Sequence, residues 1–270
     1  MPEGDTIHRS AQTLHRALAG KKVVRYETAL AQLSREDMVG RTIEKVHAIG
    51  KHLVIDFDGD LHLHTHMRMN GSWHIYRAGD RWQRPHRDMR IVIETAAMHA
   101  VAFTVPVAEF VTSHELANHD VVAELGPDPL SDHFNAEEAI ERMQAHGDVE
   151  IADVLLDQTV IAGIGNVYKS EVLFGARVNP FLKVSQLTRD QLGTIVDIAT
   201  RFMRANVVDS TQAGTVAYSG MRRTTGRANP SEGLWVYGRA GRPCRRCGTL
   251  ISRRKQGPFV RSTYWCPRCQ

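Results

Sequence analysis

The residues best suited to chemistry are four cysteines near the end of this 270-residue chain, arranged as two Cys-x2-Cys pairs with eighteen residues between them. Two close pairs separated by the length of a hairpin can place four thiolates tetrahedrally around one zinc ion. A pair of disulfides is the alternative, which a cytosolic location disfavours. The predicted zinc ligands are Cys244, Cys247, Cys266 and Cys269.

The residues around the cysteines predict a zinc ribbon. Residues 249–252 and 259–265 have the composition of two strands, with Gln-Gly-Pro at 256–258 between them. Structural zinc, here one ion per chain, stabilises a segment too small to have a core of its own. Because it specifies structure more than activity, a nucleic-acid-binding module without catalysis remains open.

The same terminal segment is strongly basic. Residues 221–270 contain twelve lysines and arginines against one acid, Glu232, for a net charge of +11, so residues 1–220 carry −7 of the chain's total of +4. An arginine-rich segment of this kind can neutralise phosphates and release their counterions, which favours DNA as a partner. A solvated basic tail is the alternative.

The overall composition is that of a globular protein long enough for two domains and a small appendage. Hydrophobic residues make up 42% of the chain and charged residues 24%. The sequence lacks both the apolar run of roughly 18 residues that a membrane span needs and the basic and apolar start of a secretion signal. We therefore expect a cytoplasmic protein without a membrane partner.

The first half of the chain predicts one helix followed by short strands. Asp5 can cap a helix with apolar residues at helical spacing, and Gly20 can end it. The pattern then changes to period two, with Asp58-Gly59 as a hairpin turn, which favours an antiparallel sandwich. The predicted strands are 42–49, 52–57, 61–67, 90–95 and 101–105.

Gly-Pro-Asp-Pro at 126–129 breaks this pattern, and helical periodicity follows. Thr188 and Gln191 have the spacing of a capping box. Between two helices, Gly163 and Gly165 allow a tight turn, and Asn166 can cap the next helix, whose amides could receive a phosphate. Packing alone would explain these glycines equally well.

The predicted helices of this region are 136–146, 151–161, 167–176 and 189–207. The predicted domains of the whole chain are 1–125, 135–225 and 235–270, with a linker at 126–134.

Three histidines, His62, His64 and His66, alternate along one predicted strand and therefore share a face. A second metal is conceivable there, but the sequence supplies no carboxylate with an obvious ligand spacing. We interpret these histidines as packing or phosphate-contacting residues.

Four motifs occur together in the chain: Pro-Glu-Gly at 2–4, Gly-Lys-His-Leu at 50–53, Gly-Ile-Gly-Asn-Val-Tyr at 163–168, and Arg-Ser-Thr-Tyr-Trp-Cys-Pro-Arg-Cys-Gln at 261–270. In this order they resemble the formamidopyrimidine-DNA glycosylase and endonuclease VIII family over essentially the whole chain. The resemblance implies an α+β multidomain fold, with an N-terminal antiparallel β-sandwich and flanking helix, a helix-two-turns-helix domain and a C-terminal zinc ribbon.

The resemblance also implies roles for individual residues. Pro2 would be the nucleophile, Glu3 a proton shuttle, and Lys51 a phosphate-binding and proton-donating lysine. Asn166 would bind phosphate, and Arg261 would hold the phosphate of the lesion and support the last elimination.

The chemistry of a terminal amine agrees with the role implied for Pro2. An α-amine has a pKa of about 8, against about 10.4 for lysine, so more of it is unprotonated at neutral pH. Its addition to the sugar C1′ gives a cationic iminium, which permits β- and then δ-elimination of the phosphates. Met1 must first be removed. The alternative is that Pro2 and Glu3 simply start a helix.

Met69 matches the intercalating loop of the family. An exposed apolar side chain beside a glycine can fill the gap left by a flipped base. A core methionine at the end of a strand is the alternative.

Two departures from the family pattern bear on substrate choice. Many relatives have a second glutamate where this chain has Asp5-Thr6. Formamidopyrimidine-type members also insert an arginine and a phenylalanine from a loop that here corresponds to 105–110, where no arginine occurs. The second departure favours the endonuclease VIII branch, although base discrimination also depends on loops such as 209–227.

The sequence therefore predicts a monomeric, bifunctional DNA glycosylase and abasic-site lyase in base excision repair, acting mainly on oxidised pyrimidines. One alternative is a glycosylase that prefers 8-oxoguanine and formamidopyrimidines. The other is a non-catalytic zinc protein that binds damaged DNA.

Overall fold

The computed structural model describes residues 2–208 and 222–270, so Met1 and residues 209–221 of the 209–227 loop lie outside the described residues. The described residues form two compact units, one comprising residues 2–124 and the other residues 125–208 and 222–270. Among the helices of these residues, none has the length and apolar character needed to cross a membrane.

The first unit begins with helix α1, which spans Gly4–Leu18. Its apolar residues at helical spacing are buried, as predicted, and Gly20 follows the helix with a φ of +74°. The expected cap was wrong, because Glu3 occupies the cap position. Asp5 instead lies in the first turn, where the helix dipole favours an acid.

Eight strands follow α1 and form two four-stranded antiparallel sheets. One sheet has the order β1-β6-β7-β5 and the other the order β2-β3-β4-β8. Two short helices, α2 (Ser113–Ala117) and α3 (Asp120–Ala123), come after the last strand. The strands are β1 (Arg25–Thr28), β2 (Ile43–Ile49), β3 (His52–Phe57), β4 (Leu61–His66), β5 (Ser72–Arg77), β6 (Met89–Glu94), β7 (Met98–Phe103) and β8 (Val107–Val111).

The apolar core of this unit lies where the two sheets and α1 meet. It includes Leu53 and Leu63 from one sheet, Trp73 and Ile91 from the other, and Leu14 from α1. The predicted sandwich with a flanking helix is therefore confirmed. A second, smaller apolar cluster covers the other face of the β1-β6-β7-β5 sheet and contains Tyr76, Met89, Val92, Val101 and Phe103.

All five predicted strands are present, with ends displaced by at most three residues. Strands β1, β5 and β8 were not predicted. The expectation of a loop at 105–110 was wrong, because most of that stretch is β8, which pairs with β4. The connection between β7 and β8 consists of residues 104–106.

The second unit is helical before it becomes a ribbon. Its helices are α4 (Ala136–Gln144), α5 (Ile151–Val154), α6 (Asn166–Ala176) and α7 (Arg189–Val208). Three of them match their predictions closely, whereas the helix predicted at 151–161 ends after four residues. The predicted capping box is confirmed, since the Thr188 and Gln191 side chains each accept a hydrogen bond from the other's backbone N–H, at 3.2 and 2.9 Å.

The ribbon consists of β9 (Ser252–Gln256) and β10 (Arg261–Trp265), which pair antiparallel. The second strand was predicted correctly, but the first lies three residues later than expected because Leu250 makes only an isolated bridge with Pro243. Short 3-10 helices also occur at Ala31–Leu33, His86–Asp88, Val184–Gln186 and Pro230–Glu232.

Candidate functional site

The four predicted zinc ligands converge in the ribbon. Their Sγ atoms lie within 4.8 Å of one another, with Cys244 and Cys269 4.0 Å apart and Cys247 and Cys266 3.4 Å apart. Four sulfurs at about 2.3 Å from one zinc ion would be separated by about 3.8 Å. The backbone N–H of Arg246 also donates to Cys244 Sγ at 3.4 Å. The cluster therefore fits a structural zinc ion.

Three of the cysteine thiols have shifted pKa values. Hydrogen bonds from the side chain and backbone of Thr249 lower the pKa of Cys247 to about 6. Burial raises the pKa of Cys266, and it raises the pKa of Cys269 to about 12. Because zinc binds thiolates, metal binding here must displace protons from the buried thiols.

Part of the basic charge near the ribbon is used inside the protein. Arg239 is 9% exposed and donates to the Pro243 carbonyl at 2.7 Å. Arg245 is partly buried and donates to the Leu234 carbonyl at 3.1 Å. Fewer cations are thus available to phosphate than the sequence charge indicates. Exposed basic residues of the ribbon include Arg242, Arg253, Arg254, Lys255, Arg261 and Arg268.

Glu171 on α6 anchors the segment that leads into the ribbon, and sequence reasoning missed it. Its fully buried carboxylate accepts backbone N–H bonds from Trp235, Val236 and Tyr237, each at 2.8 Å, and a hydrogen bond from the Thr224 hydroxyl. Burial raises the pKa of this carboxyl, and the four donors oppose that rise. The sequence signal was an acid in a helix with many apolar residues.

A buried polar chain fastens β10 to α6. The Lys169 ammonium donates to the Thr263 hydroxyl at 2.8 Å, and that hydroxyl donates to Gln256 Oε1 at 2.7 Å. The Gln256 amide in turn donates to Glu150 at 2.6 Å. Arg261 begins β10 opposite Gln256 and is exposed. This series of hydrogen bonds therefore fixes the strand that carries the predicted phosphate-binding arginine, Arg261.

Asn166 is the first residue of α6 and directly follows the glycine-rich turn. Gly165 occupies the cap position, so the expectation that Asn166 caps this helix was wrong. Asn166 is 9% exposed, and its Oδ1 is buried without a hydrogen-bond partner among the described residues. Gln158 holds the turn by accepting from the Gly163 N–H and donating to the Ile164 carbonyl, both at 3.0 Å.

The structure thus brings two predicted phosphate ligands onto elements that touch. Asn166 begins α6, and Arg261 begins β10, which packs on α6 through the Lys169–Thr263 hydrogen bond. The remaining predicted site residues, Pro2, Glu3, Lys51 and Met69, belong to the first unit.

Pro2 and Glu3 immediately precede α1 and are both buried. Glu3 has the extended backbone of a cap residue, and its carbonyl accepts from Thr6 N–H at 2.9 Å and Ile7 N–H at 3.1 Å. Its carboxylate does not cap the helix. The start of the helix therefore uses the backbone carbonyl of Glu3 and not its carboxylate as the cap.

Lys51 lies at the tip of the β2–β3 hairpin rather than within a strand. Ile49 pairs with His52, so Gly50 and Lys51 form a two-residue turn. Gly50 has a φ of +57°, which suits glycine in the first central position of such a turn. The hairpin therefore fixes the backbone position of Lys51 at its tip.

Met69 lies in the turn between β4 and β5, and its side chain is 54% exposed. The alternative of a core methionine applies instead to Met67, which is 1% exposed. Gly71 is required here, because a Cβ atom would lie 2.5 Å from the Met67 carbonyl oxygen. Arg84, which sequence reasoning missed, braces the turn by donating to the Asn70 carbonyl at 3.2 Å.

Two of the three alternating histidines, His62 and His64, have carboxylate partners, contrary to expectation. His62 Nδ1 lies 2.7 Å from Asp56, and His64 Nδ1 lies 2.9 Å from Glu109 on β8. Burial, with Arg68 next, lowers the pKa of His66 to about 4. The contacts of His62 with Asp56 and of His64 with Glu109 could not be predicted, since they depend on strand register.

Three family models match the chain. Residues 1–106 match the formamidopyrimidine-DNA glycosylase N-terminal domain, residues 125–217 the formamidopyrimidine-DNA glycosylase H2TH domain, and residues 241–270 the zinc finger found in FPG and IleRS. Among solved structures, Lactococcus lactis Fpg in complex with abasic-site DNA has a TM-score of 0.83 at 22% identity, over 99% of both chains. That likeness confirms the predicted fold.

Curated relatives extend the match to sequence. The DNA-(apurinic or apyrimidinic site) lyase of Mycolicibacterium smegmatis is 38% identical over 100% of this chain and 99% of its own length. Endonuclease 8 2 of Mycobacterium bovis is 37% identical over the full length of both chains. The class that these matches define is that of DNA repair glycosylases with abasic-site lyase activity. Within it, the chain belongs to the formamidopyrimidine-DNA glycosylase and endonuclease VIII family, as its motifs predicted.

Proposed function

We propose that this protein removes oxidised pyrimidines from DNA and then cleaves the abasic site by β,δ-elimination, with Pro2 as the nucleophile. The placement of Pro2 and Glu3 carries the proposal. Both residues are buried at the start of α1, and the Glu3 carboxylate is not used as a helix cap. A proline amine next to a buried carboxylate supplies the nucleophile and proton carrier that the chemistry requires.

The other site residues have roles on the DNA strand. Lys51 at its hairpin tip contacts phosphate and donates a proton, and Asn166 and Arg261 bind the phosphate at the lesion. Two observations support the phosphate ligands: Asn166 lies at the N-terminus of an eleven-residue helix, and Arg261 is exposed on a strand fastened to that helix. Helix N-termini and arginines both favour phosphate.

Met69 fills the gap left by the flipped base. Its 54% exposure, in a turn closed by Gly71 and braced by Arg84, supports this role because a wedge must be apolar, exposed and held rigidly.

The preference for pyrimidines is supported by the short connection between β7 and β8. Residues 104–106 leave little chain from which an arginine and a phenylalanine could be inserted into the helix. The relatives named endonuclease 8 agree with this choice of branch.

We further propose that the functional divisions are residues 1–125, 135–225 and 235–270, joined by a linker at 126–134, and that a monomer with one zinc in the ribbon acts on DNA. The family-model matches at 1–106, 125–217 and 241–270 support these divisions. The bacterial relatives agree with a cytoplasmic location.

Borohydride trapping tests the mechanism directly. Reduction of the iminium should join the chain covalently to duplex DNA that contains an oxidised pyrimidine. Pro2→Gly, or retention of Met1, should reduce trapping sharply, whereas Pro85→Gly, at an exposed proline of the same unit, should not. Binding of damaged DNA without any trapping by the wild type would favour the non-catalytic protein. Faster trapping on 8-oxoguanine paired with cytosine would favour the purine-preferring enzyme.

A further inference from the structure

Three side chains from separate elements converge on the outer face of the β2-β3-β4-β8 sheet. Glu109 Oε1 lies 2.9 Å from Nδ1 of His64 on β4 and 3.0 Å from Nε2 of His119, the residue before α3. One ligand atom from each of the three lies within 4.8 Å of the others. Glu109 pairs directly with His64 across β4 and β8, so the sheet register sets this arrangement.

We propose that His64, Glu109 and His119 bind a divalent transition-metal ion such as zinc, in a site separate from the ribbon. Two imidazole nitrogens and one carboxylate oxygen form a ligand set that zinc uses with a fourth position open to solvent. At metal–ligand distances of about 2.0–2.1 Å, tetrahedral ligand atoms lie about 3.3 Å apart. The 2.9 and 3.0 Å separations therefore need to widen by only a few tenths of an ångström.

A further histidine is placed to orient the first ligand. His64 is 1% exposed, and its Nε2 lies 2.7 Å from Nδ1 of His52. When the ion occupies His64 Nδ1, the proton of that ring resides on Nε2 and is donated to His52. Hydrogen bonds of this kind fix the tautomer and the ring orientation of metal-binding histidines.

The other two ligands give the site access to solvent and some freedom to adjust. The side chains of Glu109 and His119 are 39% and 23% exposed. His119 Nδ1 also accepts a long helix-cap hydrogen bond of 3.4 Å from the Val121 N–H. A metal ion on His119 Nε2 would place the proton of the ring on Nδ1, so this hydrogen bond would be lost. The bound ion would then join β4, β8 and the segment leading into α3 in place of direct hydrogen bonds.

Metal stoichiometry tests this site with the full-length protein. By equilibrium dialysis against zinc chloride and elemental mass spectrometry, wild type should bind two zinc ions per chain. Glu109→Gln and His119→Ala should each lose one. His99→Ala is the matched control, because His99 faces Glu94 at 3.6 Å in the other sheet with no third ligand among the described residues, and it should keep two.

Cobalt substitution separates the two sites. The ribbon should give strong thiolate-to-metal absorption in every variant, whereas the weaker ligand-field bands of the second ion should be missing from Glu109→Gln. When the ribbon is already loaded with one zinc ion, further zinc should raise the thermal midpoint of His99→Ala but not that of Glu109→Gln. One zinc in the wild type, or two in Glu109→Gln and His119→Ala, would overturn the proposal. Because the substituted residues, Glu109 and His119, are not among those proposed to act on DNA, this result is independent of the trapping experiment.

Discussion

The sandwich and the ribbon maintain their folds by different means. The sandwich has an extensive apolar core between its sheets and α1, whereas the apolar cluster around the ribbon is small and includes two of the predicted zinc ligands, Cys244 and Cys266. The ribbon is held instead by the buried Glu171 carboxylate, the Lys169–Thr263 hydrogen bond and, as proposed above, a zinc ion bound by its four clustered cysteines. In the sandwich, a substitution should therefore be able to reduce activity without reducing stability. In the ribbon, a change that removes stability should also remove DNA binding.

Zinc removal should produce the largest effect and the clearest test of that contrast. Structural zinc sites contribute on the order of 10 kcal/mol to folding in small metal-dependent domains. Cys247→Ser, or treatment with a chelator, should unfold the ribbon and abolish DNA binding, while the circular dichroism of the sandwich strands persists. Binding can be followed by fluorescence anisotropy with labelled duplex DNA.

Two outcomes of that experiment would contradict the comparison. Full DNA affinity in Cys247→Ser would show that the ribbon is dispensable for binding. Loss of the sandwich signal together with the ribbon would show that the two regions do not differ in what stabilises them. Ser252→Ala, at a ribbon residue that is not a zinc ligand, is the control and should retain both signals.

Loss of Glu171 should have the next largest effect. Glu171→Ala leaves three buried backbone N–H groups and one hydroxyl without their acceptor. Unsatisfied buried donors cost about 1–3 kcal/mol each, so we expect a loss of roughly 3–5 kcal/mol in the free energy of unfolding. Chemical denaturation measures it, and DNA affinity should fall in parallel.

The matched control is Glu141→Ala, at an exposed glutamate on α4. Its free energy of unfolding should change by less than about 0.5 kcal/mol. If Glu171→Ala were equally mild, the buried carboxylate would not be an anchor, and the ribbon would depend on its metal alone.

Local signals in the sequence predicted local structure well. The Thr188–Gln191 box and the cysteine spacing involve residues close in sequence, and both appear as expected. Strand β5 was missed because Ser72 and His74 are polar but buried, so its pattern lacks a solvent-exposed face. The helix predicted at 151–161 ends early because Gln158 satisfies the turn before α6.

Contacts between distant residues could not be predicted in the same way. Glu109 approaches His64 only because β8 pairs with β4, and β8 resembled a loop after Pro106. Likewise, the charge of the last fifty residues gave no sign that Arg239 would be buried. The sequence supplied the candidate residues, whereas strand register and burial determine which of them meet.

A pair of methionines can sharpen the claim that function and stability separate in the sandwich. Met67→Ala deletes a side chain that is 1% exposed in the core, so we expect a loss of about 3 kcal/mol in the free energy of unfolding. Met69→Ala removes an exposed side chain, so stability should change by less than about 0.5 kcal/mol. Excision of a damaged base should nevertheless fall with Met69→Ala, measured as single-turnover cleavage of duplex DNA. A large loss of stability in Met69→Ala would contradict this separation.

The smallest effect concerns a buried histidine outside the main core of the sandwich. Burial, and next the charge of Arg84, lowers the pKa of His74 to about 4. Tyr76 accepts from the Gln83 N–H and can donate to His74 Nδ1 at 3.0 Å, so this nitrogen must stay unprotonated.

Since the pKa of this histidine is near 6.5 in the unfolded chain and lower in the folded chain, the unfolded state binds more protons at acidic pH. The contribution of His74 to stability is therefore complete above about pH 6.5 and falls as the pH is lowered towards about 4. Urea midpoints measured across this range should decline less steeply in His74→Gln than in the wild type. Equal slopes would show that the His74 imidazole is as easily protonated in the folded protein as in water. The face of the β1-β6-β7-β5 sheet that carries His74 would then be more open to solvent than its packing indicates.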